Sequence, residues 1–343
     1  MIIGAADSGM HDVDLLVVGA GPCGLAAAIS AQRAGLSARV LDAGAVASTI
    51  TQYPYYVKFF STAEKLALGG MPFLVGDDKP TRREGLAYYR AIIRHFSLDV
   101  RQYERVARLE QGDTGWHVHS ESIEGEQRIT SARAVCVATG YFGSPNYLRV
   151  PGESLPHVMH VYREGHGSYD QDVVVVGGGN SAAEATLDLW RAGARVTLVH
   201  FGPSFDKKIK PWVLPDVENR MREGVIAARW ESRIASIEPG AVTITGAGGE
   251  ERLRARFVYV MTGFAPNTAL LAEAGVPIDA ATGIPAHDAT TLETTLPGLF
   301  IAGVVVAGYD ANKIFIENGR FHGDQIVARM LGQTAPAAPR LSA

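Results

Sequence analysis

Short unbroken apolar runs give the chain its first landmarks. Leu15 to Val18 and Val173 to Val176 contain no polar residue, the pattern of a strand buried on both faces. After a glycine-rich turn, each run leads into an alanine-rich stretch of helix length, Leu25 to Ala34 and Ala182 to Ala192. Both stretches stop at a glycine, Gly35 and Gly193, the residue that most easily closes a helix in the left-handed conformation. A second short strand follows, Ala38 to Leu41 or Arg195 to Val199. The pattern predicts a βαβ unit, twice.

The two copies align without a gap at an offset of 158 residues. Asp14 falls on Asp172, Gly19 on Gly177, Gly21 on Gly179, Arg33-Ala34-Gly35 on Arg191-Ala192-Gly193, and Gly44 on Gly202. The turns read Gly19-Ala-Gly21-Pro22-Cys23-Gly24 and Gly177-Gly-Gly179-Asn180-Ser181-Ala182. Both fit the dinucleotide fingerprint G-x-G-x-x-G/A, with the strand before and the helix after that it requires. The first glycine allows the tight turn, the second lets backbone approach a pyrophosphate, and the third small residue lets helix pack on strand. The helix N-terminus then faces the phosphates. One such motif is weak evidence; two in phase are strong.

The end of the second strand distinguishes the copies. Asp42 stands where an acid accepts hydrogen bonds from adenosine ribose hydroxyls, whereas His200 occupies the matching position in the second copy. Without the acid, a 2′-phosphate is no longer repelled, and His200, Arg195, Lys207 and Lys208 are candidate positive partners. The first site is thus expected to hold FAD and the second NADPH. Further strands lead into Thr139-Gly140, Thr262-Gly263 and Gly303, where backbone can come close to a cofactor. The segment from Gly308 to Lys313 reads as a capped helix start.

Composition narrows the class. Hydrophobic residues make up 47% and charged residues 20%, with a net charge of −4, which suits a globular chain and offers no basic field for nucleic acid. No apolar run approaches the ~18 residues of a membrane span. No export signal is visible near the N-terminus, so a cytoplasmic protein is expected. Cys23 and Cys136 lie 113 positions apart; without C-x-x-C spacing, neither a dithiol relay nor a structural zinc site is expected, and no metal is.

Gly19-x-Gly-Pro-Cys-Gly24, Phe59-Phe-Ser-Thr62, Lys79-Pro-Thr-Arg82, Gly177-Gly-Gly-Asn-Ser181, Pro297-Gly-Leu-Phe-x-Ala-Gly303 and the long run from Gly308 to Gly323 together carry a resemblance. The sequence resembles the two-dinucleotide-binding flavoproteins of the low-molecular-weight thioredoxin-reductase-like group, and within them the YpdA-type bacillithiol disulfide reductases. That resemblance implies an α/β fold with two Rossmann-like domains. An NADPH domain, 145–265, would be inserted into a discontinuous FAD domain, 1–144 and 266–343. It implies FAD contacts from Val106, Lys313 and Ile314 besides the residues above, with Asn312 facing the flavin ring. A small-molecule disulfide is the implied substrate, with a bacilliredoxin-type protein as a further partner and a homo-oligomer as the assembly.

Cys23, at the first turn of the first helix, is the candidate redox thiol by resemblance; a small residue filling a crowded loop is the plainer reading. His322 is a candidate proton donor, and Tyr53, Tyr55, Tyr56, Phe59 and Phe60 are either a stacking cluster or packing. Two departures from the family pattern stand out. Val304 follows Gly303 where many related flavoproteins have Asp, and Phe201 follows His200 where Arg is usual. Rival readings are a ferredoxin or flavodoxin reductase, a flavin monooxygenase or NADPH oxidase, and a nucleotide-loaded sensor without turnover.

Overall fold

A computed structural model describes residues 11–207, 209–310, 313–334 and 336. Its backbone divides into two units, one of 1–51, 58–144 and 265–343, the other of 52–57 and 145–264.

The first unit is built on parallel strands in the order Asp99–Gln102, Ala38–Asp42, Val13–Val18 and the second half of Gln127–Val137, with Leu299–Ile301 on the far side of that half. The first half of Gln127–Val137 continues into an antiparallel ribbon with Trp116–Ser122 and Glu104–Gln111. Leu15, Leu16 and Val17 are fully buried, as expected of a central parallel strand covered on both faces. The helix Pro22–Arg33 lies across this sheet with Leu25, Ala27, Ala28 and Ile29 buried. It begins before the alanine-rich stretch because the end of the glycine motif forms its first turn.

The second unit repeats the plan. Its five parallel strands run Ala227–Arg229, Arg195–Val199, Asp172–Val176, Phe257–Val260, Val158–Met159. The helix Asn180–Arg191 follows the second glycine turn. A separate antiparallel sheet, Arg233–Glu238, Gly240–Gly246 and Gly249–Ala255, shares a core with the parallel strands through Ile234, Val242, Ile244, Val174 and Val258.

The backbone division differs from the expected one in one segment. Residues 52–57 go with the second unit, because Tyr55 N donates to Arg163 O at 3.1 Å and the Arg163 guanidinium donates to Tyr55 Oη. The Tyr53-to-Phe60 aromatics are therefore split: Tyr55 and Tyr56 are exposed, while Phe59 is buried in the first unit. The helix start expected near Asp310 falls partly on 311–312, outside the described residues, and beside them Lys313 N donates to Asp310 O at 3.2 Å. Asn318 accepts from Phe315 N and donates to Lys313 O, fixing a short helix at Ile316–Gly319, and the last helix runs His322–Met330.

Leu16 sits mid-strand with no exposed surface. Leu16→Ala is expected to cost about 2–5 kcal/mol, read as a lower urea midpoint with an unchanged slope.

Candidate functional site

The first glycine turn is held against the end of the neighbouring strand. Gly19 has φ +115°, and a Cβ there would meet Ala138 O at 2.5 Å, with Thr139 Cα at 3.3 Å. A Cβ on Gly24 would lie 2.0 Å from Gly19 O, whereas one on Gly21 would meet nothing within 4 Å. The motif is thus closed on the protein side and open on the other. Gly21 caps the helix without a side-chain acceptor, and Pro22 stands in its first turn, leaving the first N–H groups for an anion. Gly140 follows with φ +71°.

Asp42 is held by the backbone it follows. Its Oδ2 accepts from Ala20 N and its Oδ1 from Gly44 N, both at 2.7 Å. A carboxylate has about four acceptor positions, so each oxygen keeps a lone pair for a ribose hydroxyl. Val106 sits at a bulge in Glu104–Gln111 and packs on the core containing Leu41. An open cradle, a helix N-terminus without a cap and an anchored acceptor fit the adenosine diphosphate half of FAD.

Cys23 lies between two glycines of the C-terminal segment. A Cβ on Gly303 would meet its Sγ at 3.2 Å, and one on Gly319 at 2.7 Å. Gly303 takes φ +70°, and Ile314 reaches Gly319 from the other side, its Cγ2 3.3 Å from that Cβ position. Burial pushes the Cys23 thiol up to about 12, so at rest it is protonated at neutral pH and is no thiolate, despite the helix N-terminus. Cys136, in the central strand, is wholly buried and is pushed up for the same reason.

His322 is no proton donor at neutral pH. Its Nδ1 accepts from Gly303 N at 3.1 Å, and burial pulls its pKa down to about 4. It fixes the turn that begins at Gly303. Lys313 is exposed and 3.9 Å from Asp310; Asn312 lies outside the described residues.

In the second unit Gly177 has φ +140°, and a Cβ there would meet Met261 O at 2.4 Å and the Ala182 Cβ at 3.2 Å. Gly179 caps the helix Asn180–Arg191 without a side-chain acceptor, Asn180 Oδ1 accepts from Lys210 N, and Ser181 is exposed. Thr262-Gly263 is pinned to Asn146: Thr262 Oγ1 donates to Asn146 O, and Asn146 N to Gly263 O. A Cβ on Gly179 would lie 3.5 Å from Asp206 Oδ2, so this turn, unlike the first, has a carboxylate beside its second glycine.

The cations expected beside it are placed differently. His200 is 4% exposed and packs on Gly178, where a Cβ would meet its ring at 2.4 Å. Burial lowers its pKa, and its Nδ1 has no partner. His200 is therefore a neutral packing residue. The signal lay in the repeat itself: Gly178 stands where the first copy has Ala20, and that missing side chain makes room for the ring. Arg195 is occupied, pairing with Asp170 at 2.5 Å and Asp172 at 2.8 Å. Lys208 lies outside the described residues.

Comparison with known proteins agrees with this geometry. The family model described as pyridine nucleotide-disulphide oxidoreductase matches residues 16–303. The chain is 40% identical over 318 residues to bacilliredoxin reductase Bdr of Bacillus subtilis, covering 92% of this chain and 96% of that one. The structure is similar to bacillithiol disulfide reductase Bdr (YpdA) from Bacillus cereus, with a TM-score of 0.91 and 41% identity over 93% of this chain and 99% of that one. For the Staphylococcus aureus protein of the same name the TM-score is 0.89 at 36% identity, over 94% and 99%.

Gly19→Ala is expected to abolish FAD retention, since neither φ +115° nor the 2.5 Å approach to Ala138 O admits a side chain; the flavin absorbance of purified protein checks this. For His322 the folded pKa is depressed, so its contribution to stability is present above pH ~6.5 and is lost as pH falls through about 4. The acid destabilisation between those values is expected to shrink by up to about 3 kcal/mol in His322→Asn, measured by urea unfolding at each pH.

Proposed function

The chain belongs to the pyridine nucleotide-disulphide oxidoreductase family, and on that premise we propose that its substrate is bacillithiol disulfide. It is a flavoprotein disulfide reductase whose cofactors are FAD and NADPH. The observation that carries the substrate is the likeness, over more than nine-tenths of both chains, to reductases named for bacillithiol disulfide and bacilliredoxin. A bacilliredoxin-type partner, a homo-oligomeric assembly and a cytoplasmic location, where thiols stay reduced, belong to the same reading.

Bound FAD supplies the two-electron link between nicotinamide and sulfur. The residues around it have separate tasks. The uncapped N–H groups of Pro22–Arg33 would hold the pyrophosphate, and Asp42 would hold the ribose. Thr139, Gly140 and Gly303 would line the FAD site, and Gly177, Gly179 and Ala182 would shape the NADPH turn. Cys23 is the sulfur proposed to exchange with substrate. Its Sγ, once deprotonated, attacks one sulfur of the disulfide; the S–S bond breaks, one bacillithiol leaves as thiolate, and a mixed disulfide remains. Two electrons that originate in NADPH, with a proton, then release the second thiol and restore Cys23. Overall, disulfide, NADPH and a proton give two thiols and NADP+. With the thiol held up near 12 at rest, the rate of exchange is expected to rise with pH across the neutral range.

Anaerobic mixing tests both substrate and sulfur. NADPH is expected to bleach the flavin, and bacillithiol disulfide to restore its colour. In Cys23→Ser, bleaching is expected to persist while recolouring slows at least tenfold. Bleaching that only ferredoxin, flavodoxin or oxygen reverses would overturn the disulfide reading. Full recolouring in Cys23→Ser would instead route the electrons past that sulfur.

A further inference from the structure

At the second nucleotide turn two of the expected cations, His200 and Arg195, are withdrawn, and a charge from outside the βαβ unit stands beside them. His200 is buried and neutral, and Arg195 is paired with Asp170 and Asp172. Arg229 is held by both oxygens of Glu251 at 2.7 Å. Phe201, the next residue after His200, is 61% exposed. Over its ring, 4.8 Å from the centroid, lies the guanidinium of Arg233.

The backbone explains this placement. His200 N donates to Arg229 O at 3.0 Å, Ser232 N to His200 O at 3.0 Å, and Glu231 N to Gly202 O at 2.9 Å. The two segments therefore run side by side, and the first residue of Arg233–Glu238 comes to rest on the residue that ends the nucleotide strand. Arg233 is exposed and forms no ion pair among the described residues. Its charge is felt by His200, which it helps to keep neutral. A guanidinium held over an aromatic ring keeps N–H groups free to donate to a phosphate. The same ring is faced from the glycine side by Asp206, whose N donates to Gly178 O at 2.9 Å and whose Oδ1 lies 3.8 Å from His200 Nε2.

We propose that Arg233, seated on Phe201, selects the adenosine 2′-phosphate of the pyridine nucleotide, the task that sequence position would give to His200. The proposal rests on the NADPH dependence of the reading above. It makes selectivity a property of two residues from different sheets: the aromatic ring holds the cation in place, and the cation recognises the phosphate dianion. Asp206 opposes it across the site, because its carboxylate repels the same group.

The test is calorimetric titration of the FAD-loaded protein with 2′,5′-ADP and with 5′-ADP. The wild type is expected to bind 2′,5′-ADP at least tenfold more tightly. Arg233→Ala should lose about tenfold toward 2′,5′-ADP and little toward 5′-ADP. Arg233→Lys should recover part of that loss, because charge returns without the forked N–H donors. Phe201→Ala should weaken 2′,5′-ADP several-fold, and Asp206→Asn should strengthen it. A wild-type preference that survives in Arg233→Ala overturns the assignment and passes the role to the lysines of the 207–210 loop. Equal binding of the two ligands by the wild type overturns 2′-phosphate selection while leaving disulfide reduction standing. Failure of the recolouring experiment, with these affinities as expected, would remove the substrate and keep Arg233.

Discussion

Both nucleotide turns depend on one close approach, a glycine α-carbon pressed against the carbonyl that ends the adjacent parallel strand. At Gly19 the carbonyl is that of Ala138, and at Gly177 it is that of Met261. In each case that residue also donates its N–H to the last residue of the central strand, Ala138 N to Val18 O and Met261 N to Val176 O. The hydrogen bond draws the neighbouring strand in, and only a residue without Cβ, at positive φ, survives the approach. Everything downstream follows from it. The chain turns sharply enough to start a helix at once, the helix begins with unpaired N–H groups, and the adjoining Thr-Gly segments lie beside the cofactor cradle.

This constraint made much of the fold readable. Apolar runs, paired glycine motifs and helix-ending glycines placed both βαβ units from composition and spacing alone, because each is enforced by local backbone geometry. The anchoring of Asp42 follows from the same geometry: its carboxylate accepts from Ala20 N in the turn and from Gly44 N just beyond the strand. His200 was not readable by position. Two residues at equivalent places do equivalent work only if what packs on them is also equivalent, and Gly178 in place of Ala20 turns a half-buried position into a buried one.

The other departures share a physical origin, competition between a local signal and a tertiary partner. The tyrosines before Val57 look like one cluster with Phe59, yet the hydrogen bonds of Tyr55 with Arg163 divide them between the units. Arg195 has the right charge for a phosphate, but Asp170 and Asp172 hold it at the opposite end of its strand from His200. The partners of Tyr55 and Arg195 lie outside any short window of sequence around them.

The two sites therefore differ less in their turns than in what each does with charge. At the first, a fixed carboxylate keeps free lone pairs beside the cradle, an arrangement that favours hydroxyls and disfavours phosphate at the ribose. At the second, the equivalent position has given up charge altogether: a buried imidazole with an orphaned Nδ1 contributes shape only. A buried neutral ring cannot recognise a dianion, so any preference for one has to come from groups that remain solvated until the ligand arrives. Charge recognition at such a rim is cheaper to build than in the interior, since an exposed arginine is not desolvated beforehand and an aromatic face can orient it without neutralising it. The two βαβ units thus share a backbone cradle and differ in the side chains around it: a fixed carboxylate at the first strand end, and at the second a buried imidazole with Arg233 and Asp206 close by.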